Sequence, residues 1–420
     1  MFPYTQQEAR VRCENSTRDA LVNVRLQLRT SIYYLVMAAI VLIATEISAY
    51  VCYIVMRHDY FAPQPSRKEF VENLEKQYTA ENFDRELGWL THKEDRDGYG
   101  ARISPDSPIA APPCLSLYGD SFVYGDEVSH AAAWGNQLAK ILGCKVFNFG
   151  VSGYGTDQAY LRFLGNTVDP SSVVMLGMQS ENIVRNVNQN RAFLYAPVVG
   201  PLKPLYWLDG DRQLRLDPMP QLEASSYETY IKDPRRLFPH EYFIPDSSPY
   251  AEQRVGFPYA TGVVRGLLGY KRTYIGLLYY LGNVPPWYAD FFDATHPSGA
   301  LDVTQSIIGH YVDTAEGRGK TPIIMFMPTS RDIKSYLSNG KWVYETLYQR
   351  CRLSGYHCFD AGSAMLEELG AEHVITVGVC EYFCFHPLTL HGHYNEKGHR
   401  ILAHVFLNYL KRYLPEAGQR

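Results

Sequence analysis

The sequence predicts an α/β domain built on a parallel sheet and preceded by one membrane-crossing helix. Three observations carry that fold class. From residue 111 onward, short apolar runs alternate with helical stretches. Loops bearing Gly, Ser and Asn follow those runs, where a parallel sheet places its functional rim. Near the N-terminus lies a long apolar run with a single charge.

The chain has 420 residues, which at roughly 150 residues per domain is one large domain or two ordinary ones. Hydrophobic residues make up 46% and charged residues 20%, which excludes a disordered chain, a collagen-like fibre and a small disulfide scaffold. Lys and Arg number 40 against 44 Asp and Glu, so no basic face is expected and a nucleic-acid partner is excluded.

The apolar run is 32–56, 25 residues with Glu46 as its one charge. As a helix it would span roughly 37 Å, enough to cross a bilayer with some tilt. Tyr33, Tyr34, Tyr50 and Tyr53 lie toward its ends, where aromatic belts sit. A cleaved signal peptide fits less well, because the run is long, starts late and lacks a small-x-small cleavage site. A buried core helix is the competing reading. Glu46 marks a partner helix or a functional site, or faces a neighbour or a local water defect. The tail 1–31 carries Arg10, Arg12, Arg18, Arg25 and Arg29 against three acids. That net-positive tail predicts a cytoplasmic N-terminus, with 57–420 on the other side, periplasmic or extracellular.

Residues 57–110 read as a linker and an ordered lead-in. The α/β domain is placed at 111–413. Strands are expected at 114–118, 145–149, 173–177, 322–327 and 356–360. Helices are expected near 130–142, 157–165, 302–316, 341–353 and 396–412. Strands alternating with helices imply a sheet covered on both faces. The stretch 190–300 breaks that rhythm and reads as an insertion. It holds 12 tyrosines between Tyr195 and Tyr288, plus Trp207 and Trp287. Such rings suit stacking on a glycan or ordinary packing of a loop-rich segment. Cys351/Cys358 and Cys380/Cys384 are close enough to pair in an oxidising space, and neither spacing is a CxxC.

The chemistry begins at Leu117-Tyr118-Gly119-Asp120-Ser121-Phe122, where an apolar strand runs into Gly-Asp-Ser. A serine at a strand's carboxyl end is exposed at the rim, where a nucleophile is needed. Gly119 permits the tight turn, and Asp120 can accept backbone N–H bonds and hold the loop. A second loop, 148–156, is glycine-rich and can turn an amide toward the same rim. A third element, His391-Gly392-His393-Tyr394-Asn395-Glu396-Lys397-Gly398-His399, opens the last helix. A zinc site in this His-rich stretch is disfavoured, since only His391 and His393 are closely spaced and no Asp or Cys joins them.

In these blocks the chain resembles the SGNH/GDSL hydrolases, over roughly 112–185 and 321–412. The resemblance implies a three-layer, flavodoxin-like fold. It assigns Ser121 as nucleophile, Gly153 as the second-block oxyanion glycine and His393 as general base. The third block, Leu176-Gly177-Met178-Gln179-Ser180-Glu181-Asn182-Ile183, lacks the usual Asn-Asp pair. Asn182 is taken as its oxyanion donor, a one-residue shift putting Glu181 there instead. In the last block the aspartate expected two or three residues before the histidine is missing, those positions being His391 and Leu390. A Ser121–His393 dyad is therefore expected, with His393 oriented by a backbone carbonyl from loop 385–391. Asp360 and Glu381 are the distant alternatives. The implied activity is removal or transfer of an acyl group, such as acetyl, on an extracytoplasmic carbohydrate or lipid. No metal or other cofactor is required. A polysaccharide O-acyltransferase and an inactive glycan-binding or scaffold protein are the rivals.

Overall fold

The structure is a computed structural model describing residues 6–62, 64–107, 112–195, 201–281, 284–387, 390 and 392–413. The apolar N-terminal run forms part of one continuous helix, α1 (Gln6–Tyr60). Within it, Val22–Arg57 is long and apolar enough to cross a membrane, and its most apolar stretch is not buried against the protein.

The helix α2 (Arg67–Thr79) follows, opened by a reciprocal cap. Ser66 Oγ accepts the Glu69 N–H, and Glu69 Oε2 accepts the Ser66 N–H. That Ser-x-x-Glu signal was present in a segment read only as linker and lead-in. Phe70 of α2 packs on Tyr230, with ring centroids 5.0 Å apart, and so ties the lead-in to the inserted segment.

The sheet has five parallel strands: β1 (Pro113–Tyr118), β2 (Lys145–Asn148), β3 (Val173–Gln179), β4 (Thr321–Met327) and β5 (Cys358–Asp360). Their spatial order is β2-β1-β3-β4-β5. Every residue of β3 is buried, as expected for a central strand covered on both faces. The helices α3 (Trp134–Leu142) and α4 (Thr156–Gly165) follow β1 and β2. An exposed pair of helices, α5 (Tyr259–Gly269) and α6 (Lys271–Leu281), lies in the insertion. Then come α7 (Ala300–Gly317), α8 (Ser330–Asn339), α9 (Glu345–Leu353), α10 (Ala361–Leu369) and α11 (Glu396–Tyr413). α11 packs on α3 and α10 as one layer, and α7 on α4 as another.

The register places the site. Leu117 of β1 lies opposite Asn148 of β2, and Tyr118 lies opposite Leu176 of β3. The loops leaving β1, β2 and β3 therefore emerge side by side on one rim.

One hydrophobic core runs from the sheet into the insertion, taking in Tyr118, Trp134, Phe193, Phe238 and Trp287. A separate small cluster of Phe61, Val255 and Val263 joins the end of α1 to α5. Disulfides join Cys351 to Cys358 and Cys380 to Cys384, with Cα separations of 6.4 and 4.4 Å. A third, Cys114–Cys144, ties the start of β1 to the residue before β2. Its partners are 30 residues apart, and reading nearest neighbours could not pair them.

Candidate active site

The first block folds as a strand, a sharp turn and one helical turn, Ser121–Tyr124. A Cβ on Gly119 would sit 2.3 Å from Val123 Cγ2 and 2.7 Å from the Gly177 carbonyl, so only glycine fits there. Asp120 caps the helical turn by accepting the Phe122 N–H at 2.8 Å. It is fully buried and also accepts the Gln179 N–H and Asn182 Nδ2, the latter at 2.7 Å. Burial pushes its carboxyl up against the pull of Arg185 and of these donors. Asp120 thus fastens the Ser121 turn to the end of β3.

Ser121 begins the helical turn and faces a cavity of about 990 Å³ shared with Gly153, Gln179 and His393. Among the described residues, neither the Ser121 nor the Gly153 amide donates a hydrogen bond. Gly153 sits at φ +79, left-handed backbone that favours glycine. It is at the rim, as the second block implied.

Asn182 is not. It is fully buried, it does not line the cavity, and its amide is spent on Asp120. The residue of that loop which reaches the cavity with a free donor is Gln179, the last of β3. Gln179 Oε1 accepts the Glu181 N–H at 3.1 Å, which fixes which end of the amide is oxygen. Its Nε2 has no hydrogen-bond partner among the described residues. Glu181 also lines the cavity, but as a carboxylate held by the Tyr195 hydroxyl and lying 3.9 Å from Arg185. Those partners keep it below the usual carboxylate range despite burial. The sequence reading took the nearest asparagine. The strand's true end, two residues beyond the expected one, puts Gln179 at the rim instead.

The dyad expectation is corrected. His393 Nδ1 lies 2.7 Å from Glu127 Oε2, and the same oxygen accepts the His393 backbone N–H at 2.6 Å. A carboxylate, not a carbonyl of loop 385–391, orients the imidazole. Of that loop, residues 388, 389 and 391 lie outside the described residues, His391 among them.

Glu127 comes from the first block, six residues after Ser121, just past the helical turn. The missing acid had been sought beside the histidine. The available signal was the Asp126-Glu127 pair closing the nucleophile's own loop. Glu127 holds left-handed backbone at φ 67, a conformation that costs a non-glycine residue about 1–3 kcal/mol. Asp126 receives the Ser152 hydroxyl at 2.6 Å and places an oxygen 3.9 Å from His393 Nε2.

Asp360 and Glu381 are occupied elsewhere. Asp360 caps α10 through the Ser363 N–H at 3.1 Å and takes the Tyr344 hydroxyl. Glu381 pairs with Lys397. His399, one helical turn into α11, is buried and accepts the Trp134 N–H, and burial pulls its pKa down to about 3.

Ser121 Oγ makes no hydrogen bond to His393 here. Both face the one cavity, and Nε2 is the ring nitrogen that Glu127 leaves free. Catalytic contacts of this kind commonly close only with substrate bound.

The fold is an α/β domain on a five-stranded parallel sheet, with the loops that follow its first three strands side by side on one rim. Two solved structures are similar to this chain. One is described as a lipolytic protein of the G-D-S-L family from Desulfitobacterium hafniense DCB-2. It shares 11% identity at a TM-score of 0.34, over 70% of this chain and 98% of that chain. The other is a member of the lipolytic G-D-S-L family from Veillonella parvula DSM 2008. It shares 12% identity at a TM-score of 0.34, over 71% and 98%. No family model matches the chain, and no curated protein matches it.

Proposed function

We propose that this chain is a membrane-anchored serine esterase that removes or transfers an acyl group, acetyl being the simplest, on an extracytoplasmic carbohydrate or lipid. The observation that carries the reading is a carboxylate–imidazole pair, Glu127–His393, facing the same cavity as a rim serine.

The mechanism follows from the geometry. Glu127 holds the proton on Nδ1, leaving Nε2 as the base. His393 takes the Ser121 proton as Oγ attacks the ester carbonyl. The oxyanion meets the Ser121 and Gly153 amides and Gln179 Nε2, each such donor lowering the barrier by about 3 kcal/mol. The imidazolium then protonates the leaving alkoxide, and an acyl-enzyme remains. Water or a sugar hydroxyl, activated by the same base, takes the acyl group. Hydrolysis and transfer therefore share every residue up to that step.

The three disulfides support an oxidising location for the domain. With the positive tail, they support α1 as a signal anchor. The test is ester turnover by the purified full chain and by Ser121→Ala. Turnover should vanish in the variant while its thermal unfolding stays unchanged. Undiminished turnover in the variant refutes the reading.

A further inference from the structure

The cavity lining includes a set of arginines, Arg185, Arg191, Arg272 and Arg331. The acid beside them is Glu181, already held by Tyr195 and shared with Arg185. Among the described residues, Arg191, Arg272 and Arg331 have no carboxylate within 4.0 Å. Arg272 spends one nitrogen on the Leu194 carbonyl at 2.6 Å and lies 4.1 Å over the Trp287 ring. Glu252, whose charge acts on Arg272, is pushed up to about 8 by burial and carries little charge at neutral pH.

Two donors in this group are buried without a partner, Arg191 Nη1 and Arg185 Nε. A buried guanidinium lacking an acceptor is costly, and a protein keeps one where a ligand supplies the acceptor. Burial and Arg185 pull Arg191 down to about 10, against the opposing charges of Glu181 and Asp157. The cluster also stands next to the chemistry. Arg191 Nη2 is 4.0 Å from where a Cβ on Gly153 would lie.

We propose that the substrate is an anionic ester, carrying a carboxylate or phosphate close to the reacting acyl group, and that Arg191 and Arg331 bind that anion. This deepens the esterase reading and rests on it. A planar guanidinium fork suits either anion. An acylated uronate glycan and an acylated sugar phosphate are the two sources.

The experiment compares kcat/KM of the full chain on three acetyl esters: O-acetylated trigalacturonate, an acetylated sugar phosphate and a neutral acetylated trisaccharide. One or both anionic esters should be preferred by tenfold or more, and Arg191→Gln and Arg331→Gln should each cut that ratio at least fivefold, chiefly through KM. Equal turnover of all three overturns the anion site. Turnover of a neutral ester that is lost in Ser121→Ala keeps the esterase reading separate from that outcome.

A second inference rests on independent observations at α1. Glu46, in the middle of the apolar run, accepts the Tyr259 and Ala260 N–H groups at 2.7 and 3.2 Å, capping the start of α5. Tyr50 and Tyr53 pack on Tyr259, with centroids 4.9 and 5.7 Å away. The other end of α5 meets Phe61, which a Cβ on Gly266 would strike at 2.8 Å. So α5 runs alongside α1. At 1.5 Å per residue, Tyr259 sits roughly 16 Å below the level of Arg57. The large exposed hydrophobics there are Phe257 and Leu268, each 80% exposed, and Val264, 56% exposed, with Thr261 and Arg265 exposed beside them on α5.

We infer that the loop bearing Phe257 and the start of α5 are immersed in lipid, beside α1 and continuous with its apolar surface. This rests on α1 spanning the bilayer, which flotation of the full chain with vesicles checks separately.

The test is fluorescence of Phe257→Trp and Leu268→Trp in full-length protein reconstituted into phosphatidylcholine bilayers, read against the wild type. Lipid brominated in mid-chain should quench the added signal at 257 more than at 268, and aqueous iodide should leave 257 unquenched. Iodide quenching at 257 places the loop in water and overturns the inference. Quenching by neither probe means protein covers it and overturns the inference equally.

Discussion

Glu127 holds a backbone conformation that most side chains avoid, and its one carboxylate oxygen takes both the ring and the backbone of His393. Strain of that kind persists where its surroundings fix it, and here the ring and backbone of His393 do so. Glu127→Gln keeps the size but presents the wrong partner to Nδ1. We expect kcat to fall on the order of 10³–10⁴-fold with KM little changed. A variant within threefold of wild type returns the site to a dyad. Gln179→Ala removes an oxyanion donor and should lower kcat on the order of 10²–10³-fold. Asn182→Ala should act through stability instead, since it strips a hydrogen bond from buried Asp120. At this scale the sequence was partly legible. Block position named Ser121, Gly153 and His393, and the structure brings all three to one cavity. Glu127 did not, because its pairing crosses 266 residues and depends on a loop conformation that no local pattern encodes.

Among the elements, the parallel strands and the helices between them were readable from apolar runs bounded by turn residues. The differences are instructive. α8 was not foreseen, although it carries a cap, Thr329 accepting the Asp332 N–H. α2 was hidden by its polarity, with only Phe70 and Leu74 buried. The insertion gave no clear periodic signal because most of its elements are short and irregular, held by aromatic packing on the common core and by a few polar contacts. One of them is a fully buried ion pair between Lys203 and Asp157 at the start of α4. Burial pushes Asp157 up and Lys203 down, each opposed by the other. Lys203→Met leaves Asp157 buried and unpaired, and should destabilise the domain by about 3–5 kcal/mol in denaturant unfolding. A loss below about 1 kcal/mol would show that the pair does not hold the insertion in place.

For the whole molecule, composition and the apolar run pointed to a membrane-competent helix ahead of an α/β domain, while the helix itself runs unbroken through the expected tail. They could not show that the insertion reaches back to α1, because the Glu46 contact joins residues more than 200 positions apart. The same inserted segment supplies a pH term to global stability. Glu252 is buried with Oε2 unpartnered, and burial lifts its carboxyl from 4.5 to about 8. An acid raised on folding binds more protons folded than unfolded. Its contribution is therefore intact below the unfolded value and declines as pH rises toward 8. Glu252→Gln should match the wild type near pH ~4 and unfold at a higher temperature near pH ~8. An equal difference at both pH values would show that ionisation of Glu252 is not responsible.

The central claim is that Ser121 is a nucleophile activated by His393 and Glu127. The most direct measurement is fluorophosphonate labelling of the full-length protein, with the adduct mapped by mass spectrometry and the labelling rate compared across Ser121→Ala, His393→Ala and Glu127→Gln. The account expects one adduct, on Ser121, absent in Ser121→Ala and slowed at least a hundredfold in the other two. An adduct on another serine, or unchanged labelling of Ser121 without His393 and Glu127, would contradict it.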